Sequence, residues 1–181
     1  MVDLLIRDAE LPDLDELVKL RLSFQRHMEA SNPRVWRITE EGQKHLREET
    51  EQMLANKDGR ILVVVRNGVI AGFAYGEVSR RTTYLPSTIG QISIIYVREE
   101  FRRHGLGRQL VEELCRFFSS KNVEEVTLNY IIGNKEAEGF WGALGFEPVR
   151  ISANLRSKDL EERLASLQQP LRQVMDRCSQ F

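Results

Sequence analysis

Cysteine is nearly missing: Cys115 and Cys178 are the only two in 181 residues, too few for a disulfide framework. Histidine is scarce as well. The three, at positions 27, 45 and 104, lack the spacing of a zinc constellation, so no metal is expected. Long apolar runs are absent. The longest, Ile61 to Val65, is five residues, where a membrane span needs roughly 20. The opening residues Met1 to Asp8 have neither the basic stretch nor the apolar core of a secretory signal. Neither sign of charge dominates: 26 basic and 27 acidic residues leave a net charge of −1, which gives no global attraction to nucleic acid or anionic lipid. What is present is an ordinary globular balance, 41% hydrophobic and 29% charged, which argues against disorder. The expectation is a soluble, cytoplasmic protein of one domain, with no nucleic acid and no membrane among its partners.

Leu4-Leu5-Ile6 reads as a short first strand, and Leu11-Pro12-Asp13 opens a helix, with proline suited to its first turn. From Gln25 to Thr39 the apolar periodicity lapses and Asn32-Pro33 marks a loop. A charged helix follows from Glu40 to about Ala55, capped by Thr39. Ile61 to Val65 has the β-branched density of a buried strand. Asn67-Gly68 then joins it to Val69 to Tyr75, because both turn residues tolerate positive φ. Arg80 to Gly90 reads as a loop and Gln91 to Val97 as a strand. From about Gly105 to Ser119 a helix is expected, with Leu106, Leu110, Leu114, Phe117 and Phe118 at spacings of three and four. Val123 to Ile131 is a further strand, Asn134 to Ala143 a short helix, and a last strand is expected from Phe146 through Ile151. The order β-α-α-β-β-β-α-β-α-β implies a mixed sheet in which hairpins precede a βαβ unit. From Asp159 to Cys178, Leu160, Leu164, Leu167, Leu171 and Val174 recur at near-heptad spacing. Pro170 should kink or split that helix.

The most informative stretch is Ile94 to Arg108. A strand ends, a basic turn with Gly105 and Gly107 follows, and an amphipathic helix begins. The first amides of a helix lack intrahelical partners and sit at the positive end of its dipole. Glycines let an anion approach the backbone closely, and Arg102, Arg103, His104 and Arg108 surround the same point. Such a turn suits a phosphate or pyrophosphate; the plainer reading is a capped helix with a solvated basic turn. A dinucleotide fingerprint is set aside because position 110 is leucine, and no Gly-Lys-Ser/Thr of a Walker loop occurs.

A second constellation, Asn134, Ala137, Phe140, Trp141, Gly145 and Phe146, lies one strand downstream. Together with the turn, it resembles the GNAT superfamily of acetyl-CoA-dependent N-acetyltransferases. The family's pyrophosphate motif, Arg/Gln-x-x-Gly-x-Gly/Ala, is matched by Arg102, Gly105 and Gly107. Its second motif, Asn-x-x-Ala-x-x-Phe-aromatic followed by Gly-Phe, is matched by the second constellation. The likeness in element order runs over about residues 4 to 150, and its specific motifs occupy about 91 to 146.

The resemblance implies an α+β fold, an α/β/α sandwich whose mixed, mostly antiparallel central sheet contains a splayed pair of parallel strands. It assigns residues 1–158 to the acetyltransferase domain and 159–181 to a C-terminal helical extension. It also implies that acetyl-CoA is the acyl donor. The pantetheine arm would bond the backbone of Ile95 and Val97, with Tyr96 between them. The amides of Arg103, His104, Gly105, Leu106, Gly107 and Arg108, next to Arg102, would hold the pyrophosphate. Asn134 would lie beside the pantetheine arm, with Phe140 and Trp141 near the thioester; plain helix-to-sheet packing of these two aromatics is the competing reading.

Transfer to an amine requires a neutral acceptor, so an ammonium of pKa about 10 must lose a proton. Many members carry a glutamate base where this chain has Gln91, or in other members where it has Asn129. The family's tyrosine acid is replaced by Trp141. All three positions are non-ionisable, which implies water-relayed deprotonation by a base elsewhere. Glu77, on the same strand face as Tyr75, and Glu40 or Glu41 are the candidates for base, and Tyr130 for acid. The acceptor is expected along Gln25 to Thr39 and Arg80 to Gly90, and is a small-molecule or peptide primary amine taken by direct transfer in a ternary complex. The alternative is a non-catalytic acyl-CoA-binding or sensing module. The terminal leucine series suggests a homodimer interface, with a cap on the same domain as the competing reading.

Overall fold

Five strands form one sheet in the order β1 (Leu4–Asp8), β2 (Gly59–Arg66), β3 (Val69–Arg80), β4 (Thr88–Val97) and β5 (Glu125–Leu128). The first four are antiparallel neighbours, and β4 and β5 run parallel. The helices are α1 (Leu14–Ser31), α2 (Pro33–Trp36), α3 (Glu40–Ala55), α4 (Leu106–Ser120), α5 (Lys135–Ala143) and α6 (Ser157–Cys178). The structure is a computed structural model that describes residues 3–178, with side chains through Leu167. Leu171, Val174 and Cys178, part of the terminal apolar series, therefore lie outside the residues whose side chains are described. The chain divides into two compact units, Met1–Gly139 and Phe140–Phe181.

In the first unit both faces of the sheet are covered. Leu17 and Leu20 of α1 pack with Ile61, Val63, Phe73 and Tyr75 on one face, joined by Met53 and Leu54 of α3. Helix α4 covers the other face with Leu106, Leu110, Val111, Leu114 and Phe118, all buried. Phe118 lies close against the strands because Gly76 and Gly90 present no side chain beneath it. A Cβ at either position would come within 2.8 or 2.9 Å of the ring. The β2–β3 hairpin closes through Asn67 and Gly68, whose φ values of 51° and 77° are the two positive ones that a two-residue turn requires. Thr39 caps α3, its Oγ1 accepting from Gly42 N at 3.0 Å.

An ion pair pins β1 to the start of α1. Asp13 is buried and accepts from Arg7 Nη1 at 2.6 Å, Arg7 Nη2 at 2.9 Å and Glu10 N at 2.8 Å. The Arg7 guanidinium holds the Asp13 carboxyl below the ordinary carboxylate range. A lowered folded-state value means that the unfolded chain takes up the proton first. The pair's stabilisation is therefore fully present above about pH 4 and is lost as pH falls further. Asp13→Asn is expected to cost about 2 kcal/mol at neutral pH. Urea midpoints should show that deficit narrowing below pH 4; a deficit constant with pH would rule out the ion pair as its cause.

Four sequence expectations are corrected. Residues 25–31 belong to α1, and α2 interrupts the rest of the expected loop. The apolar stripe lapses there, but Gln25, Arg26, Met28, Glu29 and Ala30 are good helix formers, and Gln25 Nε2 donates to Trp36 O at 2.5 Å. The expected last strand, Phe146 through Ile151, is not a strand. Pro148 has no N–H to give a ladder, and β5 itself is cut to four residues. Helix α6 is continuous from Ser157 to Cys178, so the split expected at Pro170 does not occur.

In the second unit Trp141 is buried between aromatic neighbours. Its ring centroid lies 4.8 Å from that of Phe140 and 5.3 Å from that of Phe146, both edge-on. Phe146 N donates to Trp141 O at 3.0 Å, which folds the chain back on the end of α5. Leu160, Leu164 and Leu167 of α6 are exposed.

Candidate functional site

Strand β4 changes partners midway. Tyr75 faces Ile94 and Gly76 faces Ile92, so Ser93 is an extra residue bulged out of the β3–β4 ladder. On its other edge β4 pairs with β5 only from Ile89 to Ile92. Beyond Ser93 it has β3 on one side and, among the described residues, no strand on the other. Alternation then fixes which backbone groups are free. Arg98 N donates to Ala71 O at 2.9 Å, so Tyr96 and Ile94 also turn their groups toward β3. The N–H and C=O of Ile95 and Val97 face the open edge. Val97 O accepts from Arg102 Nε at 3.0 Å. Both groups of Ile95 and the N–H of Val97 remain as a ladder without a partner strand. The strand end is held in place by Arg98, whose Nε donates to Ile70 O at 2.9 Å and whose Nη2 bonds Glu16.

The chain then enters the basic turn. Arg103 and Gly105 take positive φ, 61° and 77°, and Gly105 caps α4. Gln109 N is the first to bond inside the helix, to Gly105 O at 3.2 Å. Among the described residues no acceptor takes the amides of Arg103 to Arg108. Successive amides with left-handed residues among them form a concave donor nest, and the helix dipole adds to its positive potential. Leu106 is buried and anchors the helix start, while Arg103, His104 and Arg108 are exposed around the nest. Arg102 is used differently. Besides Val97 O, it bonds Glu136 Oε2 at 3.1 Å and stands 5.8 Å from the Tyr96 ring centre. It ties the end of β4 to the start of α5.

A polar network lies on the sheet face shared with α1 and α3. Tyr75 Oη donates to Glu77 Oε2 at 2.9 Å, and Asn56 Nδ2 donates to Tyr75 Oη at 2.8 Å and to Glu77 Oε2 at 3.2 Å. Burial, with a smaller contribution from Glu77, pushes the Tyr75 hydroxyl up to about 12. At neutral pH the hydroxyl therefore keeps its proton and serves as a donor. Glu77 stands opposite Gln91 in the ladder, so a carboxylate is present one strand over from the position where Gln91 lacks one. A cleft of about 390 Å³ on this face is lined by the network and by Arg21, Glu49, Gln52 and Met53.

The other residues singled out from the sequence are dispersed. Glu40 and Glu41 begin α3, about 24 Å along the helix from Asn56 at its far end, so they do not join Glu77. Tyr130 is half-buried in the connection after β5, and Asn129 beside it is exposed. Tyr130 hydrogen-bonds no described side chain. Asn134 Oδ1 accepts from Ala137 N at 3.1 Å and so caps α5, leaving its Nδ2 as the group available to a ligand. Phe140 and Trp141 sit in the aromatic cluster of the second unit. The sequence reading missed Asn56 and Ser93. Asn56 follows the last residue of α3, two residues short of β2, and no sequence pattern marks it.

The model of the acetyltransferase (GNAT) family matches residues 22–146. A putative [ribosomal protein bS18]-alanine N-acetyltransferase of Bacillus subtilis (strain 168) is 23% identical over 113 residues, 62% of this chain and 70% of that protein. Among solved structures, a tetramutant of the BH1408 protein from Bacillus halodurans is 20% identical with a TM-score of 0.74, over 84% of this chain and 99% of that one. The aminoglycoside N-acetyltransferase AAC(6')-Iy, solved in complex with CoA, is 19% identical with a TM-score of 0.68, over 87% and 96%. The family match spans well over half of the sequence and contains the bulged strand, the nest and Asn134; the chain belongs to the GNAT family of acetyltransferases.

Proposed function

We propose that this protein transfers the acetyl group of acetyl-CoA to a primary amine, directly and within a ternary complex. The observation that carries the reading is the open edge of β4 running into an unsatisfied amide nest. A ladder of free groups at Ile95 and Val97 suits an extended amide-bearing chain such as pantetheine. The nest at Arg103 to Arg108, one turn further on, suits the diphosphate at that chain's end. Asn134 Nδ2 adds a donor on the α5 side.

In the reaction the amine nitrogen bonds the thioester carbonyl carbon, the C–S bond breaks, and the sulfur leaves as thiol after taking up a proton. The protein has three tasks. An oxyanion forming at the carbonyl needs a fixed donor, and Val97 N–H, at the open edge, is better aimed than Tyr96 N–H, which serves β3. The acceptor ammonium must lose its proton, and Glu77 is the base, through water, with the cleft at Arg21, Glu49 and Gln52 as the acceptor's entry. Positioning supplies the rest.

A thiol-release assay with acetyl-CoA tests the reading against an amine panel that includes an aminoglycoside and a peptide beginning with alanine, the two acceptor chemistries named by relatives. Amine-dependent release is expected. Gln91, Asn129 and Trp141, non-ionisable where other members place an acid or base, favour the second reading, a module that binds acyl-CoA without turnover. Coenzyme binding with no release from any amine would select it.

A further inference from the structure

Glu77 has two oxygens in different surroundings. Oε2 takes both hydrogen bonds of the network, from Tyr75 Oη and Asn56 Nδ2. Oε1 has Ser93 Oγ at 3.5 Å, and Ser93 is the bulged residue at which β4 leaves β5. The arrangement is locked from behind. Asn56 Oδ1 accepts from Asp58 N at 3.0 Å, so the amide cannot flip, and its Nδ2 must face Tyr75 and Glu77. Gly59, opposite Glu77 in the β2–β3 ladder, leaves the space the network fills. A Cβ there would sit 2.8 Å from Tyr75 Oη and 2.9 Å from Asn56 Nδ2.

We propose that Tyr75 and Asn56 are positioning residues for the acceptor's base: by occupying Oε2 they hold Glu77 in one rotamer and leave Oε1, on the Ser93 side, as the oxygen that takes the proton. The inference rests on the reading of Glu77 as the base. A glutamate on a strand otherwise samples several rotamers, only some of which aim at the point where β4 opens. Two hydrogen bonds to one oxygen select among them before substrate arrives. The gain is one of aim.

A double-mutant cycle separates the two readings. Tyr75→Phe should lower kcat about tenfold and leave KM for acetyl-CoA within twofold, and Gly59→Ala should act in the same direction. In the Glu77→Gln background, Tyr75→Phe should have no further effect. Equal loss in both backgrounds, unchanged kcat, or a loss confined to KM overturns the positioning role and leaves Glu77 as base untouched. Full turnover in Glu77→Gln removes the base and the positioning role together. A crystal structure of Tyr75→Phe reads the same point without turnover. Glu77 spread over more than one rotamer is expected, and a single unchanged rotamer contradicts the proposal.

Discussion

Replacing Glu77 by glutamine is expected to lower acetyl transfer at neutral pH by about a hundredfold or more, the ordinary contribution of a positioned base. The amide has nearly the shape of the carboxylate and can keep one hydrogen bond to the Tyr75–Asn56 pair, so the sheet and the coenzyme site should be undisturbed. Coenzyme affinity should therefore change by less than threefold. The defect should shrink as pH rises toward the acceptor's own pKa of about 10, where neutral amine is abundant without a base. Initial rates across pH 6–10 check both statements. A variant with full turnover, or one whose deficit is the same at every pH, would remove Glu77 from the reaction.

The second large effect belongs to Gly105. Its φ of 77° lies in the left-handed region, where a β-branched side chain is strained. Gly105→Val should force the turn into another conformation and scatter the amides of Leu106, Gly107 and Arg108. Coenzyme A should then bind roughly 30- to 100-fold more weakly, about 2–3 kcal/mol. Gly105→Asn is the informative control, since asparagine tolerates this backbone region better than other residues with a side chain; it should stay within about threefold to fivefold. Truncating exposed Arg108 should matter less than Gly105→Val, because a solvated charge is worth at most about 1 kcal/mol and is screened by salt. If Gly105→Val bound like the parent while Arg108→Ala lost most affinity, the side chains and not the amides would be the anion site.

Local features of this fold were legible in the sequence because the physics behind them is local. Asn67-Gly68 can close only a tight hairpin, and the apolar side of α4 repeats every third or fourth residue. The nest follows from two glycines at a strand-to-helix turn. Alternation along β3 alone put Tyr75 and Glu77 on one face. What sequence could not supply was register. Counting outward from the Asn67-Gly68 turn pairs Gly59 with Gly76. An extra residue at Ala71, where Val65 faces Ile70 but Val64 faces Gly72, moves Gly59 opposite Glu77 instead. That one-residue shift brings Asn56 to the carboxylate, and no pattern near Asn56 announces it. The Ser93 bulge is hidden for the same reason. The strand expected at Phe146 to Ile151 failed differently: its residues favour extended backbone, but Pro148 and the absence of a pairing edge decide against a ladder.

Isothermal titration of the wild-type chain with coenzyme A and, separately, with pantetheine separates the nest from the rest of the site, because pantetheine has the amide-bearing arm and lacks the diphosphate. If the amides of Arg103 to Arg108 hold that diphosphate, coenzyme A should bind one per chain and at least about a hundredfold more tightly than pantetheine. Equal affinity for the two, or no heat with coenzyme A, would contradict it.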